Sequence, residues 1–232
     1  MKKVLVFAAA SLLSFSAFAQ DYLLDNPSNH AYLGVRASYD LSCPGKIKYG
    51  DAKEKMFGIG SGVSLGLVYN QPIVANLFVE PGISFYYNTQ SIDLDGFDVS
   101  DWGSANDAFE HRSMRKFGMR VPVQFGYHFD FAPDMNLSIA TGPVLDVGFS
   151  DDYYITTKPI SGHRFHESGT AYGDDGFLNR VDCAWRIGVG LTFSRNYYVG
   201  VSGDLGMCNM LKDVPDVSFH ENAVHITLGY NF

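Results

Sequence analysis

The chain has 232 residues, a formal net charge of −8, and 46% hydrophobic residues. An acidic chain lacks the basic face that displaces counterions from phosphates, so the composition excludes a nucleic-acid-binding protein. Mean hydropathy is −0.04, and no apolar run of about 18 residues follows the N-terminal segment, which excludes a helical membrane protein. This mean hydropathy is compatible with a β-barrel, because apolar and polar residues alternate along its strands and average to a low value.

The N-terminus has the parts of a secretory signal. Met1-Lys2-Lys3 is basic, residues 4–18 are mostly apolar, and Ala17-Phe18-Ala19 fits a small-x-small cleavage pattern. The apolar run is shorter than the roughly 20 residues of a spanning helix. The sequence therefore predicts a removed signal peptide, a short periplasmic lead and a β-barrel domain, over residues 1–19, 20–29 and 30–232.

Apolar and small or polar residues alternate along the rest of the chain, in segments bounded by Gly, Pro, Asn and Asp. This period of two predicts strands. Short turns alternate with longer loops, as in outer-membrane barrels, where the turns lie in the periplasm and the loops outside. Eight strands are predicted, near residues 30–41, 56–70, 76–91, 112–130, 135–150, 179–194, 197–210 and 219–232, with long loops at 42–55, 92–111, 151–178 and 211–218.

The two faces of these strands differ in kind. One face is apolar in every strand, whereas the other carries glycines among polar residues. Strand glycines that face water lose entropy and gain no packing, but they suit the crowded interior of a narrow barrel. We therefore predict an all-β fold, an eight-stranded antiparallel up-and-down transmembrane β-barrel of the outer-membrane type. A soluble periplasmic β-protein is the competing class.

The same alternation points ionisable side chains into the lumen. Buried charges must pair, and Arg binds carboxylates with bidentate geometry. We favour a salt-bridged structural network that fills the lumen; the alternative is a proton or ion path. The predicted network comprises Arg36, Glu80, Arg120, Asp146, Asp182, Arg186 and Asp204, with His128 and His225 also directed inward.

Aromatic side chains in the long loops suggest recognition of a partner, although they could instead pack the loops together. These residues are Trp102, Tyr153, Tyr154, Phe165 and Tyr172. His163, His166 and Glu167 have metal-ligand side chains, but zinc motifs of this kind need a helix, which the surrounding glycines disfavour. The acidic loop 92–111 does not fit a calcium-loop pattern. We predict no metal, no cofactor and no catalytic group.

Cys43, Cys183 and Cys208 form an odd set. Their wide spacing indicates no disulfide framework, although one bond such as Cys43 to Cys208 could form in an oxidising compartment.

The terminal strand, residues 223–232, alternates up to Tyr230 and Phe232. A terminal aromatic resembles the sorting signal by which the outer-membrane assembly machinery selects barrels. We expect these residues to act as an assembly signal.

Residues 120–129 read RVPVQFGYHF, and residues 139–143 read IATGP. This hairpin resembles the central hairpin of the porin-like outer-membrane β-barrel domains of Bacteroidetes, a group that includes PorT-type proteins. The resemblance implies an outer-membrane barrel and, for PorT-type members, a secretion-accessory role.

The leading hypothesis is a structural or interaction barrel whose loops meet an extracellular or envelope protein. Small-solute transport is the second hypothesis, and a lipid-active or proteolytic enzyme is the third. Outer-membrane lipid, lipopolysaccharide and the barrel assembly machinery are the other expected partners.

Overall fold

A computed structural model describes residues 30–50, 52–55, 57–92, 107–159, 165–173, 176–212 and 216–232. These residues form eight long strands and four short ones. The strands are β1 (Tyr32–Pro44), β2 (Ile47–Tyr49), β3 (Ala52–Glu54), β4 (Gly60–Val74), β5 (Leu77–Ser91), β6 (Asp107–Ala132), β7 (Met135–Pro159), β8 (Phe165–Thr170), β9 (Val181–Phe193), β10 (Tyr197–Gly206), β11 (Val217–Ser218) and β12 (Glu221–Asn231).

The eight long strands close into a ring. They are hydrogen-bonded in the order β6-β5-β4-β1-β12-β10-β9-β7, and β6 also pairs with β7. Every pairing in the ring is antiparallel. Closure leaves no unpaired edge along the ring, which removes the edge-strand liability of an open sheet. The predicted eight-stranded antiparallel barrel is therefore confirmed.

No helix among the described residues is long and apolar enough to cross a membrane.

Short connections gather at one end of the barrel, which we call the turn end. Ala75 and Asn76 join β4 to β5 with φ values of 46° and 66°. Two such residues give a type I′ turn, whose twist matches that of the flanking strands. The sequence predicted that this strand ends near residue 70. In the structure β4 continues to Val74, with a register shift between Pro72 and Val74.

The opposite end, which we call the loop end, is more ordered than predicted. β6 begins at Asp107 and β7 ends at Pro159, so parts of the predicted loops 92–111 and 151–178 are strand. β8 pairs with residues 152–157 of β7. We call residues 107–116, 150–159 and 165–170 the ribbon. A separate small sheet contains β2, β3 and β11.

The outside of the barrel is apolar, as the alternation predicts. Leu65 and Leu228 expose 61% and 63% of their surface. Aromatic side chains lie at both ends of this apolar surface. Phe117 contacts Phe149 towards the loop end, and Tyr197 contacts Tyr230 at the turn end. An apolar band between aromatic girdles is the surface that a lipid bilayer covers.

Inside the barrel, glycines make room for large inward side chains. A Cβ added at Gly190 or Gly200 would meet the Tyr198 ring, and one at Gly118 would meet the Tyr86 ring. The interior is therefore packed, because a small residue on one strand lies against a large residue on the next. This agrees with the narrow interior expected of eight strands.

Replacing Gly190 with Leu tests this packing. The larger side chain meets Tyr198, so we expect Gly190→Leu to destabilise the barrel by about 1–3 kcal/mol, the usual cost of overpacking. Val189 is the matched control, since it is adjacent, faces outward and is 45% exposed. Urea unfolding, followed by heat-modifiable gel mobility, measures both variants. An equal loss from Val189→Leu would contradict the packing argument.

Candidate functional site

A continuous network of charged side chains crosses the centre of the lumen. Arg120 donates to Asp40 (Nη1 to Oδ2, 2.7 Å) and to Asp146 (Nε to Oδ2, 3.1 Å). Arg186 makes a bidentate pair with Asp204, with both nitrogen–oxygen distances at 2.6 Å. These charge-assisted bonds are the strong class of hydrogen bond.

His225 joins the two halves of this network. Its Nδ1 lies 2.8 Å from Asp40 Oδ1, and its Nε2 lies 3.0 Å from Asp204 Oδ2. The ring therefore links Asp40 on one wall to Asp204 on another. The network then contains the guanidinium groups of Arg120 and Arg186 and the carboxylates of Asp40, Asp146 and Asp204. Each carboxylate accepts from one of these guanidinium groups, so the buried charges are paired.

Every strand of the barrel ring takes part in this network. Ser64 donates to Asp40 (3.2 Å), and the Tyr86 hydroxyl donates to Asp146 (2.6 Å). With these two side chains, the network holds a side chain from each ring strand. In the order β1, β4, β5, β6, β7, β9, β10 and β12, the members are Asp40, Ser64, Tyr86, Arg120, Asp146, Arg186, Asp204 and His225.

A second group of polar side chains lies towards the turn end. Arg36 Nη2 is 4.0 Å from Glu80 Oε2, and the Arg36 guanidinium lies 4.2 Å from the centre of the Tyr198 ring. Tyr32 and Asn70 donate to the same Glu80 oxygen. The Arg36 side chain therefore carries both a carboxylate partner and a cation–π contact.

A third pair lies towards the loop end. Lys116 Nζ is 2.7 Å from Glu221 Oε2, and Ser42 donates to Glu221 Oε1 at 2.9 Å. Lumen side chains therefore pair at three levels along the barrel axis.

The space between these levels is small. A cavity of about 80 Å³ lies between the Arg36 level and the central network, and serines and Thr227 line part of it. Another cavity, of about 200 Å³, lies at the turn end beside His128 and Asn231. Polar cavities of this size hold water molecules that satisfy buried polar groups. The arrangement suits a filled interior.

The predicted network residues fall into three positions. Arg120, Asp146, Arg186 and Asp204 are in the central network. Arg36 and Glu80 pair with each other towards the turn end. Asp182 is the register partner of Asp146, and its carboxylate accepts the Cys183 N–H at 2.7 Å. His128 is buried at the turn end, and its ring stacks on that of Phe78 with the ring centres 4.2 Å apart.

Sequence reasoning missed several members. Asp40 follows the outward Tyr39, and Lys116 precedes the outward Phe117. Strict alternation could therefore have assigned both charged residues to the lumen. Glu221 lies within the predicted terminal strand, 219–232, and begins β12, but it was not assigned to the lumen network. The alternation alone holds no signal for which residues of opposite walls meet.

The loop end carries an apolar cluster, which we call the cap. Its buried members come from several separate chain segments, and Phe57 contacts Phe219 with ring centres 5.0 Å apart. Burying a large apolar side chain of this kind stabilises by about 1.5–3 kcal/mol, so the cap ties the loops into one unit. The cap comprises Phe57, Met114, Ala171, Tyr172, Leu178, Met210 and Phe219.

The structure separates the aromatic residues suggested for recognition. Tyr172 is buried in the cap, not displayed for a partner, and this burial raises the pKa of its hydroxyl although Lys116 opposes the shift. Tyr153 packs against the cap. Tyr154 is 38% exposed on the ribbon, with the Arg115 guanidinium 4.7 Å from its ring centre. Phe165 lies on β8 opposite Thr157, and Trp102 lies outside the described residues.

The metal-ligand types in the loops are not assembled in the part of the chain that the structure describes. His166 Nδ1 lies 3.2 Å from Thr156 Oγ1. No group of three or more His, Cys, Asp or Glu side chains among the described residues could hold a metal. His163 and most of the acidic loop 92–111 lie outside those residues.

A family model, the outer membrane protein beta-barrel domain, matches residues 18–212. The chain belongs to this family. The protein is therefore an outer-membrane β-barrel protein of the bacterial outer membrane. In such barrels the turns face the periplasm and the longer loops face outside, so the turn end is periplasmic and the loop end extracellular.

Solved structures with a similar fold share little sequence with the chain. OprG from Pseudomonas aeruginosa is 9% identical, over 87% of this chain and 96% of that chain, with a TM-score of 0.41. Ail of Yersinia pestis is 14% identical, over 88% and 99%, with a TM-score of 0.38. The outer membrane enzyme PagL is 14% identical, over 85% and 98%, with a TM-score of 0.40. No curated protein sequence matches significantly.

Removing Arg120 tests the central network. Arg120→Met leaves Asp40 and Asp146 without their cation, and breaking a buried pair costs roughly 3–5 kcal/mol. The control is Arg195→Met, because Arg195 pairs with Asp134 at the exposed turn end and an exposed pair contributes about 1 kcal/mol or less. Urea unfolding measures both.

A triple variant separates charge from shape. Adding Asp40→Asn and Asp146→Asn to Arg120→Met should recover part of the lost stability, since it neutralises the two carboxylates that lose their guanidinium partner. A loss from Arg120→Met no larger than that from Arg195→Met would contradict the network's structural role.

Proposed function

We propose that this protein is a closed outer-membrane barrel that serves as a rigid platform for interactions at its extracellular face. The observation that carries the proposal is the central network, to which every strand of the ring contributes. A barrel whose opposite walls are joined by buried, paired charges has no free passage at that level. The lumen network is then a structural element that holds the register of the strands.

Porin-like transport is the rival function, and the geometry does not favour it. An eight-stranded barrel is just wide enough for side chains to fill, whereas aqueous channels occur in wider barrels. A solute would have to separate the bidentate Arg186–Asp204 pair and the Arg120–Asp40 pair. Each separation leaves buried charges uncompensated, which is costly.

The ribbon is the surface that we propose for recognition. Its ten β6 residues, 107–116, span roughly 30 Å at about 3.3 Å per residue beyond the girdle residue Phe117. At its base, the exposed Tyr154 ring lies beside the Arg115 guanidinium. Tyr and Arg are the residue types enriched in binding hot spots. The partner would be an extracellular or envelope protein, and a PorT-type secretion-accessory role is one form of this interaction.

We also propose how the chain reaches its place. Residues 1–19 would act as a cleaved signal peptide, which their basic and apolar pattern supports. The terminal aromatic residues would be read by the barrel assembly machinery. In support, Phe232 is 70% exposed and its ring lies 5.1 Å from that of Tyr230. Lipid and lipopolysaccharide would then contact the apolar band.

Conductance distinguishes the platform from the porin. We expect purified protein in planar bilayers to give no stable conductance steps, and liposomes that contain it not to swell in sugar solutions. The combined Arg120→Met, Asp40→Asn and Asp146→Asn variant is the comparison, because it removes the charges that join opposite walls. Stable, nanosiemens-scale steps from the unaltered protein would contradict the proposal.

A photo-crosslinking residue tests the ribbon. Placed at Tyr154 in intact cells, it should give a discrete protein adduct, because this ring is exposed on the extracellular face. The matched control is Tyr197, which is 52% exposed in the periplasmic girdle. Adducts at both positions alike, or at neither, would contradict recognition by the ribbon.

A further inference from the structure

Cys183 and Cys208 lie side by side near the extracellular end of the barrel. Cys183 is on β9, and Cys208 lies two residues after Gly206, the last residue of β10 and the register partner of Ala184. The N–H groups of Met207 and Cys208 both donate to the Cys183 carbonyl, at 2.8 Å and 3.3 Å. The side chain of Cys208 interacts with that of Cys183.

The backbone contact places the two cysteines near the separation that a disulfide needs. The two Cα atoms of a disulfide are usually about 4.4–6.8 Å apart, and a direct backbone hydrogen bond between neighbouring strands holds residues at about that separation. Because the N–H groups of Met207 and Cys208 share one carbonyl, two residues lie opposite one, as in a β-bulge, and Cys208 lies across from Cys183. Both cysteines are free and neither is fully buried.

Cys43 is not a competitor for either thiol. It lies on β1 opposite Asn222 of β12, and its thiol contacts the Leu41 carbonyl at 3.9 Å. In the ring order, β12 separates β1 from β10. The pairing of Cys43 with Cys208, which the sequence left open, is therefore not the pairing that the fold brings together.

We propose that Cys183 and Cys208 form an intrachain disulfide, and that Cys43 stays a free thiol. The oxidant would be a protein disulfide of the cell envelope, a thiol–disulfide oxidoreductase in its oxidised form. One cysteine thiolate attacks that disulfide and forms a mixed disulfide; the second thiolate displaces the oxidoreductase. The two thiols lose two protons and two electrons, and the oxidoreductase leaves as a dithiol.

The bond would lie where the cap joins the barrel. Cys208 begins the segment that brings Met210 into the cap, and Asn179, just before β9, donates its N–H to the Met210 carbonyl at 2.8 Å. Leu178 and Leu211 form a further bridge between the same two segments. A covalent link at Cys183 therefore closes the connection where the apolar cap meets the barrel.

Thiol counting tests the disulfide. Full-length protein is extracted from outer membranes, unfolded in detergent without reductant, and labelled with a maleimide-polymer reagent that shifts gel mobility. We expect one labelled thiol before reduction and all three cysteines after it. Peptide mapping should find Cys183 joined to Cys208. Three labelled thiols before reduction, or a link that includes Cys43, would overturn the proposal.

Single variants sharpen the result. Cys43→Ser should show no free thiol before reduction, whereas Cys208→Ser should show two, at Cys43 and Cys183. Oxidised glutathione, offered to the reduced, folded protein, should leave glutathione attached to Cys183 in Cys208→Ser but not in the unaltered chain, because the neighbouring thiol displaces it. A lasting glutathione adduct on Cys183 in both proteins would overturn the proposed pairing.

Discussion

Buried charge must be paired, and the lumen of this barrel is organised by that requirement. Arg120 and His225 each bridge two carboxylates, and Asp40 contacts both of them. An isolated charge in such an interior costs several kcal/mol, so any shift of register that separates these partners is penalised. The network therefore specifies how the strands align, in addition to stabilising the closed ring.

The network in turn depends on an unusual distribution of apolar residues. The outside of the barrel holds the large apolar side chains, which lipid covers, while the inside holds glycines and polar groups. Glycines such as Gly190 and Gly118 leave the space into which Tyr198 and Tyr86 fit. Small residues, large rings and paired charges together fill an interior that eight strands make narrow.

The extracellular end adds a second, apolar kind of packing above the charged lumen. The cap buries Phe57 and Tyr172, and the ribbon extends the walls beyond the aromatic girdle. A sealed barrel with an ordered outer face suits recognition better than passage of solutes. Tyr154 and Arg115 are exposed on the ribbon that we propose for recognition, whereas Tyr172 is buried in the cap.

The sequence by itself determined the membrane barrel, its strand count and its two faces, because side-chain direction alternates with a period of two. It also assigned Arg120, Asp146, Arg186 and Asp204 to the lumen on the same basis. Only the tertiary structure decided which partners meet: Asp40 with Arg120 and His225, Lys116 with Glu221, and Cys183 with Cys208. It likewise decided that residues 107–111 and 151–159 are strand, and that Tyr172 is buried. These contacts join residues far apart in the chain, and they exist only once the ring has closed in one register.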